Sequence, residues 1–184
     1  MARLPYVDPA TAPEAVREIL ARLPVQLNIF KLMAHAEADF VNLLRLGSTI
    51  LGQQALPARL RELAILRVAA LSGARYEWVQ HVPIARGVGV REEQIEALER
   101  GQDDAPCFDE EERAVLRFTR EVAQDVKASD AAFDGVHQRL GSRQTVELIV
   151  AIGFYMLIAR LMETAEIDLD PPAEMKIVDA ARRS

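Results

Sequence analysis

Cysteine is almost missing: Cys107 is the only one in 184 residues, which excludes an internal disulfide and leaves dithiol chemistry without its resolving sulfur. No run of basic residues stands clear of acidic neighbours. With 28 acidic against 22 basic side chains and a formal charge of −6, the chain offers no positive face for phosphates, which argues against a nucleic-acid partner. No uncharged apolar run is long enough for a membrane span of about 20 residues. The longest, Leu148 to Ala159, has twelve and reads as a helix buried on all sides. Residues 1–13 lack the apolar core of a signal peptide, so a cytoplasmic protein is expected.

What is present is a globular composition, half apolar and 27% charged with 5% aromatics. A chain of this length can bury roughly 70% of the surface it exposes when unfolded, so its core needs no disulfide or metal. Apolar residues recur at spacings of three and four while alternation with period two is scarce, which predicts an all-α fold. The chain divides, within a single domain over 1–184, into N-terminal helices at 13–52, a hairpin at 57–87, a second half at 109–168 and a tail at 171–184. Pro13 opens a first helix that Pro24 closes, and further helical stretches begin near Leu27 and Asp39, the latter ended by Gly52. Pro57 opens a helix that runs to Ser72 and Gly73, and another follows from Arg75 to Gly87. The polar connection Gly101 to Pro106 marks the boundary between halves. Asp109 and Glu112 have the spacing of a capping box, and Gly141 separates a short helix from a long one reaching Thr164.

Laying Arg59–Arg75 over Gln144–Arg160 matches Glu62 with Glu147, Leu63 with Leu148, Ala74 with Ala159 and Arg75 with Arg160. Two related helical hairpins would explain the match, although apolar helices also resemble one another by composition.

Three titratable residues gather around the predicted hairpin. Glu77 and His81 are four residues apart and share a helix face. Glu62 sits among apolar neighbours one helix earlier, where depth raises a carboxyl pKa unless a partner is found. A carboxylate that orients an imidazole, with a second carboxylate nearby, is a usable acid/base set. The competing reading is structural: a solvated Glu–His pair, with Glu62 bonded to Arg59 or Arg67. Trp78 and Tyr76 suit packing as well as substrate contact. His35 and His137 have no evident partner, and no set of ligands has metal-binding spacing.

The segment Leu60-Arg61-Glu62-Leu63-Ala64-Ile65-Leu66-Arg67, followed by Ala74-Arg75-Tyr76-Glu77-Trp78-Val79-Gln80-His81, resembles the signature of the carboxymuconolactone decarboxylase and alkylhydroperoxidase D-like superfamily. The likeness extends through Leu27–His35 and Glu147–Arg160. It implies an all-helical bundle assembled as trimers or hexamers, with Glu62, Glu77 and His81 as catalytic residues lining a pocket. The peroxidase branch carries two cysteines between its Glu and His, and those positions here hold Ala74 and Glu77. The resemblance therefore implies the decarboxylase-like branch: a lyase without cofactor or metal, acting on a small carboxylated or lactone-like metabolite. Arg75 or Arg160 would then hold substrate carboxylates, with Trp78 a further substrate contact. The alternatives are a non-enzymatic oligomeric protein that binds small molecules, and a thiol peroxidase, which the missing cysteines disfavour.

Overall fold

A computed structural model of the chain describes residues 1–183. Those residues form helices and no strand: α1 (Glu14–Arg22), α2 (Asn28–Met33), α3 (Glu37–Gly52), α4 (Ala58–Ser72), α5 (Arg75–Gly87), α6 (Glu92–Glu99), α7 (Glu110–Asp125), α8 (Asp130–Ala165) and α9 (Lys176–Arg183). The all-α reading holds, and the proline and glycine punctuation places most helix ends within a few residues.

α4 is the centre of the bundle. Every residue from Leu60 to Ala69 is buried, with α5, α6, α7 and α8 packed around it. Each of Leu60, Leu63 and Leu66 removes a whole side chain from water, at about 1.5–3 kcal/mol apiece. The core cluster that contains them also takes in Phe108, Val115 and Leu116 from beyond residues 101–107, so the apolar interior runs across that polar connection.

Three expectations are corrected. The helix buried on all sides is α4, whereas Leu148–Ala159 in α8 is only half enclosed. Ile149 and Leu157 are 40% and 41% exposed, because the remaining helices cover one side of α8 only. The second window of the internal match, Gln144–Arg160, lies wholly inside α8 and has no turn corresponding to Gly73; α8 bends earlier, at Gly141. The third concerns α6, which lies between Gly89 and Gly101 where the sequence reading places no helix. Its buried Ile95 and Leu98 span too few residues to show a period, and the Gln94 side chain accepts from the Arg91 N–H to cap it (3.1 Å).

Two glycines position the site. Gly73 ends α4 in the left-handed region (φ 63°), which costs a glycine little. The following Ala74 N–H donates to the Ala69 carbonyl at 2.9 Å, so α5 turns back along α4. Gly52, at the end of α3, meets the backbone of Ala181, and a Cβ there would lie 2.4 Å from it. That close approach lets α9 pack on α3 and cover the space between α3 and α5. α7 opens with the expected capping box, in which Asp109 and Glu112 exchange bonds with each other's N–H at 2.8 Å. By length and composition α8 could cross a membrane, but half of its apolar window is buried inside the bundle.

Candidate active site

The α4–α5 hairpin brings Glu62 to His81. The imidazole Nδ1–H donates to Glu62 Oε2 at 2.8 Å, and the other carboxylate oxygen accepts from Arg61 Nε at 3.3 Å. All three side chains are nine-tenths or more buried. Neither Arg59 nor Arg67 is the partner: Arg59 pairs with Glu112, and Arg67 with Asp103. Anchoring Nδ1 fixes the tautomer and leaves Nε2 to take or give a proton. Tyr155 of α8 packs its ring edge-to-face against the imidazole, with centroids 4.8 Å apart, so ring orientation is held from two sides.

Glu77 stands one turn before His81, in the first turn of α5. It is 2% exposed, and neither of its carboxyl oxygens has a hydrogen-bond partner. Burial pushes its pKa well above the ordinary range, and the negative charges of Glu163 and Glu62 push it the same way. Such surroundings favour the protonated form, in which the carboxyl is a donor rather than an anion. The Tyr155 hydroxyl is likewise held protonated, first by burial and then by Glu62 and Glu77.

Glu77, His81 and Tyr155 face a cavity of about 340 Å³ between α2, α3, α5, α8 and α9, within the size range of small-molecule sites. Glu62 lies behind His81, outside the lining. The remaining wall is largely apolar, with Leu27, Phe30, Leu44, Phe154 and Ile158 prominent. The chain between α8 and α9 crosses beside it and is clasped by Gln80. The Gln80 amide donates to the carbonyls of Asp170 and Pro171 (3.2 and 3.3 Å) and accepts from the Ala173 N–H at 2.9 Å. Tyr76 donates its hydroxyl to Asp170 at 2.5 Å. Among the described residues, no three His, Cys, Asp or Glu side chains converge as a set of metal ligands.

The structure brings Glu62, Glu77 and His81 together but not Arg75, Arg160 or Trp78. Arg75 is exposed at the start of α5, beside a separate depression that also contains Glu163 and Glu166. Arg160 is exposed and donates to the Met156 carbonyl on its own helix at 2.8 Å. Trp78 is half-buried and packs against the core. The cation that does line the cavity is Arg22, at the end of α1. Sequence reading missed Tyr155, Gln80 and Arg22 as cavity residues. Tyr155 sits within an apolar run where nothing sets it apart, and the direction of Gln80 depends on a tail 90 residues away.

The sequence pattern of the carboxymuconolactone decarboxylase family matches residues 39–121, a span that holds most of α3, all of α4 to α6 and most of α7, and with them Glu62, Glu77 and His81. Residues 39–121 are thus similar to the carboxymuconolactone decarboxylase family. Solved structures agree on the fold. An uncharacterized peroxidase-related protein with the alkylhydroperoxidase AhpD core, from Ralstonia eutropha, superposes with a TM-score of 0.76 at 19% identity, covering 98% of this chain and 96% of its own. A peroxidase-related protein from Silicibacter sp. gives 0.76 at 17% identity over 92% of both chains. A protein of unknown function from Agrobacterium tumefaciens, assigned to AhpD-type antioxidant defence, gives 0.67 at 23% identity over 74% of this chain and 95% of its own. No curated protein matches the chain. Of the two positions at which the resemblance implies peroxidase cysteines, Ala74 is buried at the N-cap of α5 and Glu77 lies in its first turn. Cys107 lies outside the cavity lining. Burial and the nearby Glu93 push its thiol up, away from the reactive thiolate.

Proposed function

We propose that this protein is a cofactor-free acid/base enzyme of the carboxymuconolactone decarboxylase-like kind. It would move a proton at a carbon conjugated with the carbonyl of a small lactone-like metabolite. The observation that carries this reading is the Glu62–His81 bond of 2.8 Å beside an unpartnered, buried Glu77 at the wall of one cavity. Glu77, protonated, donates to the substrate carbonyl and stabilises the charge that builds on it. His81 Nε2 exchanges the proton with carbon, and the Glu62 carboxylate stabilises the imidazolium that forms. In the lyase form of the reaction, the C–C bond to the carboxylate breaks and carbon dioxide leaves. The electron pair spreads into the conjugated carbonyl, and His81, after taking up a proton from water at Nε2, delivers it to carbon.

Replacing His81 with Gln keeps a side chain that can bond Glu62 but cannot carry the proton. Turnover of a confirmed substrate should fall roughly 10²- to 10⁴-fold with helical content unchanged; a wild-type rate would remove His81 from the mechanism. A second reading, a binding protein without chemistry, is favoured by one observation: neither Arg75 nor Arg160 reaches the cavity to hold a carboxylate leaving group. Thermal stabilisation by lactones and aromatic acids without product would support it. Exposed Val146, Ile149, Val150 and Leu157 form a stripe along α8 that supports assembly as a homotrimer or homohexamer. A cytoplasmic location goes with the same reading.

A further inference from the structure

Resting on that acid/base reading, we propose that Arg61 is a positioning residue. Its buried charge holds Glu62 as an anion without help from His81, and so keeps Nε2 of the imidazole free of hydrogen and ready to take a proton from water.

The balance of charge in a closed space carries the argument. Glu62 is wholly buried, and the Arg61 side chain beside it is 3% exposed. A buried carboxylate demands a cation, and two groups reach this one: Arg61 Nε at 3.3 Å and His81 Nδ1 at 2.8 Å. The other titratable groups against the pair are Glu77 of α5 and Tyr155 of α8, and burial favours the uncharged form of both. Tyr76 gives its hydroxyl to Asp170, and the exposed Glu163 of α8 acts on Glu77. Glu112 of α7 and Asp103 before it, the acids brought to the far side of α4, have arginines of their own. Among the described residues, α2, α3 and α9 line the cavity with no titratable side chain, and Arg22 of α1 is 79% exposed and bonded to Glu18. Arg61 therefore balances Glu62 one for one, and the imidazole in front of Glu62 can stay neutral. The field of Arg61 extends further, to the Tyr155 hydroxyl, where it opposes the larger effects of Glu62 and Glu77.

Removing that cation changes which atom carries hydrogen. The Glu62–His81 pair would hold an unbalanced negative charge in the interior and gain one proton from solvent. On the imidazole, that proton makes an imidazolium with hydrogen on both nitrogens. On Glu62, it finds its acceptor at Nδ1, and the neutral ring then carries its hydrogen on Nε2. Both routes end with Nε2 occupied, so the base is lost with His81 itself unchanged. A structural brace would be bonded differently. Arg59 joins two acids, Asp109 and Glu112, whereas Arg61 gives one N–H to Glu62 and keeps Nη2 buried with no partner. A bare interior donor is costly, and the charge set against Glu62 is what offsets it.

The test reads His81 directly, by 15N NMR of the imidazole between pH 6 and 9 in the wild-type protein, Arg61→Met and Arg61→Lys. At pH 8 the wild type should show hydrogen on Nδ1 and the deshielded resonance of a bare Nε2. In Arg61→Met the pH at which Nε2 loses its hydrogen should rise by at least about one unit, a tenfold gain in proton affinity, as expected when a cation within about 4–6 Å of an acid is lost. Arg61→Lys, which keeps the charge, should follow the wild type. An Nε2 that titrates alike in wild type and Arg61→Met overturns the proposal, even where the melting temperature falls, because a purely structural arginine would give that result. Should Arg61→Met not fold, the other two proteins decide: hydrogen on Nε2 at pH 8 in either overturns it. No substrate enters the measurement. The predicted pattern in a protein that turns over no lactone or aromatic acid would sink the enzymatic reading and leave Arg61 its role. Turnover by Arg61→Met at the wild-type rate, with Nε2 unmoved, would do the reverse.

Discussion

Two regions of this protein bury carboxyl groups beside α4 and treat them in opposite ways. On one side, Asp103 is shared between Arg67 at 3.1 Å and Arg120 at 2.8 Å. Nearby, Glu112 meets Arg59, the Gln94 amide and the Asp109 N–H. Every acid there has its cation or donors, which is what burial of an ion demands. On the other side, Glu62 is satisfied by Arg61 and His81, but Glu77 one helix away has nothing. The fold supplies arginines to its other buried acids, so the bare carboxyl of Glu77 stands apart from them.

Four substitutions break or sharpen that contrast, in decreasing order of expected effect. Asp103→Ala strands Arg67, whose side chain is 6% exposed, and should cost about 3–5 kcal/mol in chemical denaturation. Loss of less than 1 kcal/mol would mean that the buried pair is not what holds this region. Gln80→Ala frees the tail and leaves the buried Ala173 N–H unbonded, for about 1–3 kcal/mol. The loss should appear as faster amide exchange confined to residues 170–183, so uniform exchange across the bundle would contradict the clasp.

Glu77→Gln should act with the opposite sign. A carboxyl whose pKa is raised by folding keeps a proton that the unfolded chain releases. The native state therefore loses stability as pH climbs above the ordinary carboxylate range of about 4.3. Melting curves should show the variant more stable than wild type at pH 8, by about 1 kcal/mol, with the difference closing toward pH 4. A variant less stable at pH 8 would show that Glu77 is ionised and paired. The smallest effect belongs to Cys107→Ser, on a half-buried loop thiol, at about 0.5 kcal/mol or less. Any peroxide consumption by the protein should survive it, and its loss would restore thiol chemistry to the account.

How much was legible beforehand follows the same division. Period and punctuation reveal most of the helices, because Pro13, Pro57, Gly52 and Gly73 act through local backbone geometry. The Glu77–His81 spacing is local as well, and Glu62 comes within reach because a tight turn must fold α4 onto α5. What the sequence hides is set by distant packing. Arg61, adjacent to Glu62 in the chain, becomes its partner in place of Arg59 or Arg67. Arg75 and Arg160 turn to solvent, and α9 returns to cover a cavity formed largely by residues more than 20 positions away. The orphaned state of Glu77 is a statement about every neighbour at once, which no spacing rule contains.

Infrared difference spectroscopy of wild type against Glu77→Gln at pH 7 tests the central claim most directly. The account predicts a carboxylic-acid C=O band in the wild-type protein that vanishes in the variant. A band pattern showing only an ionised carboxylate lost from position 77 would contradict it.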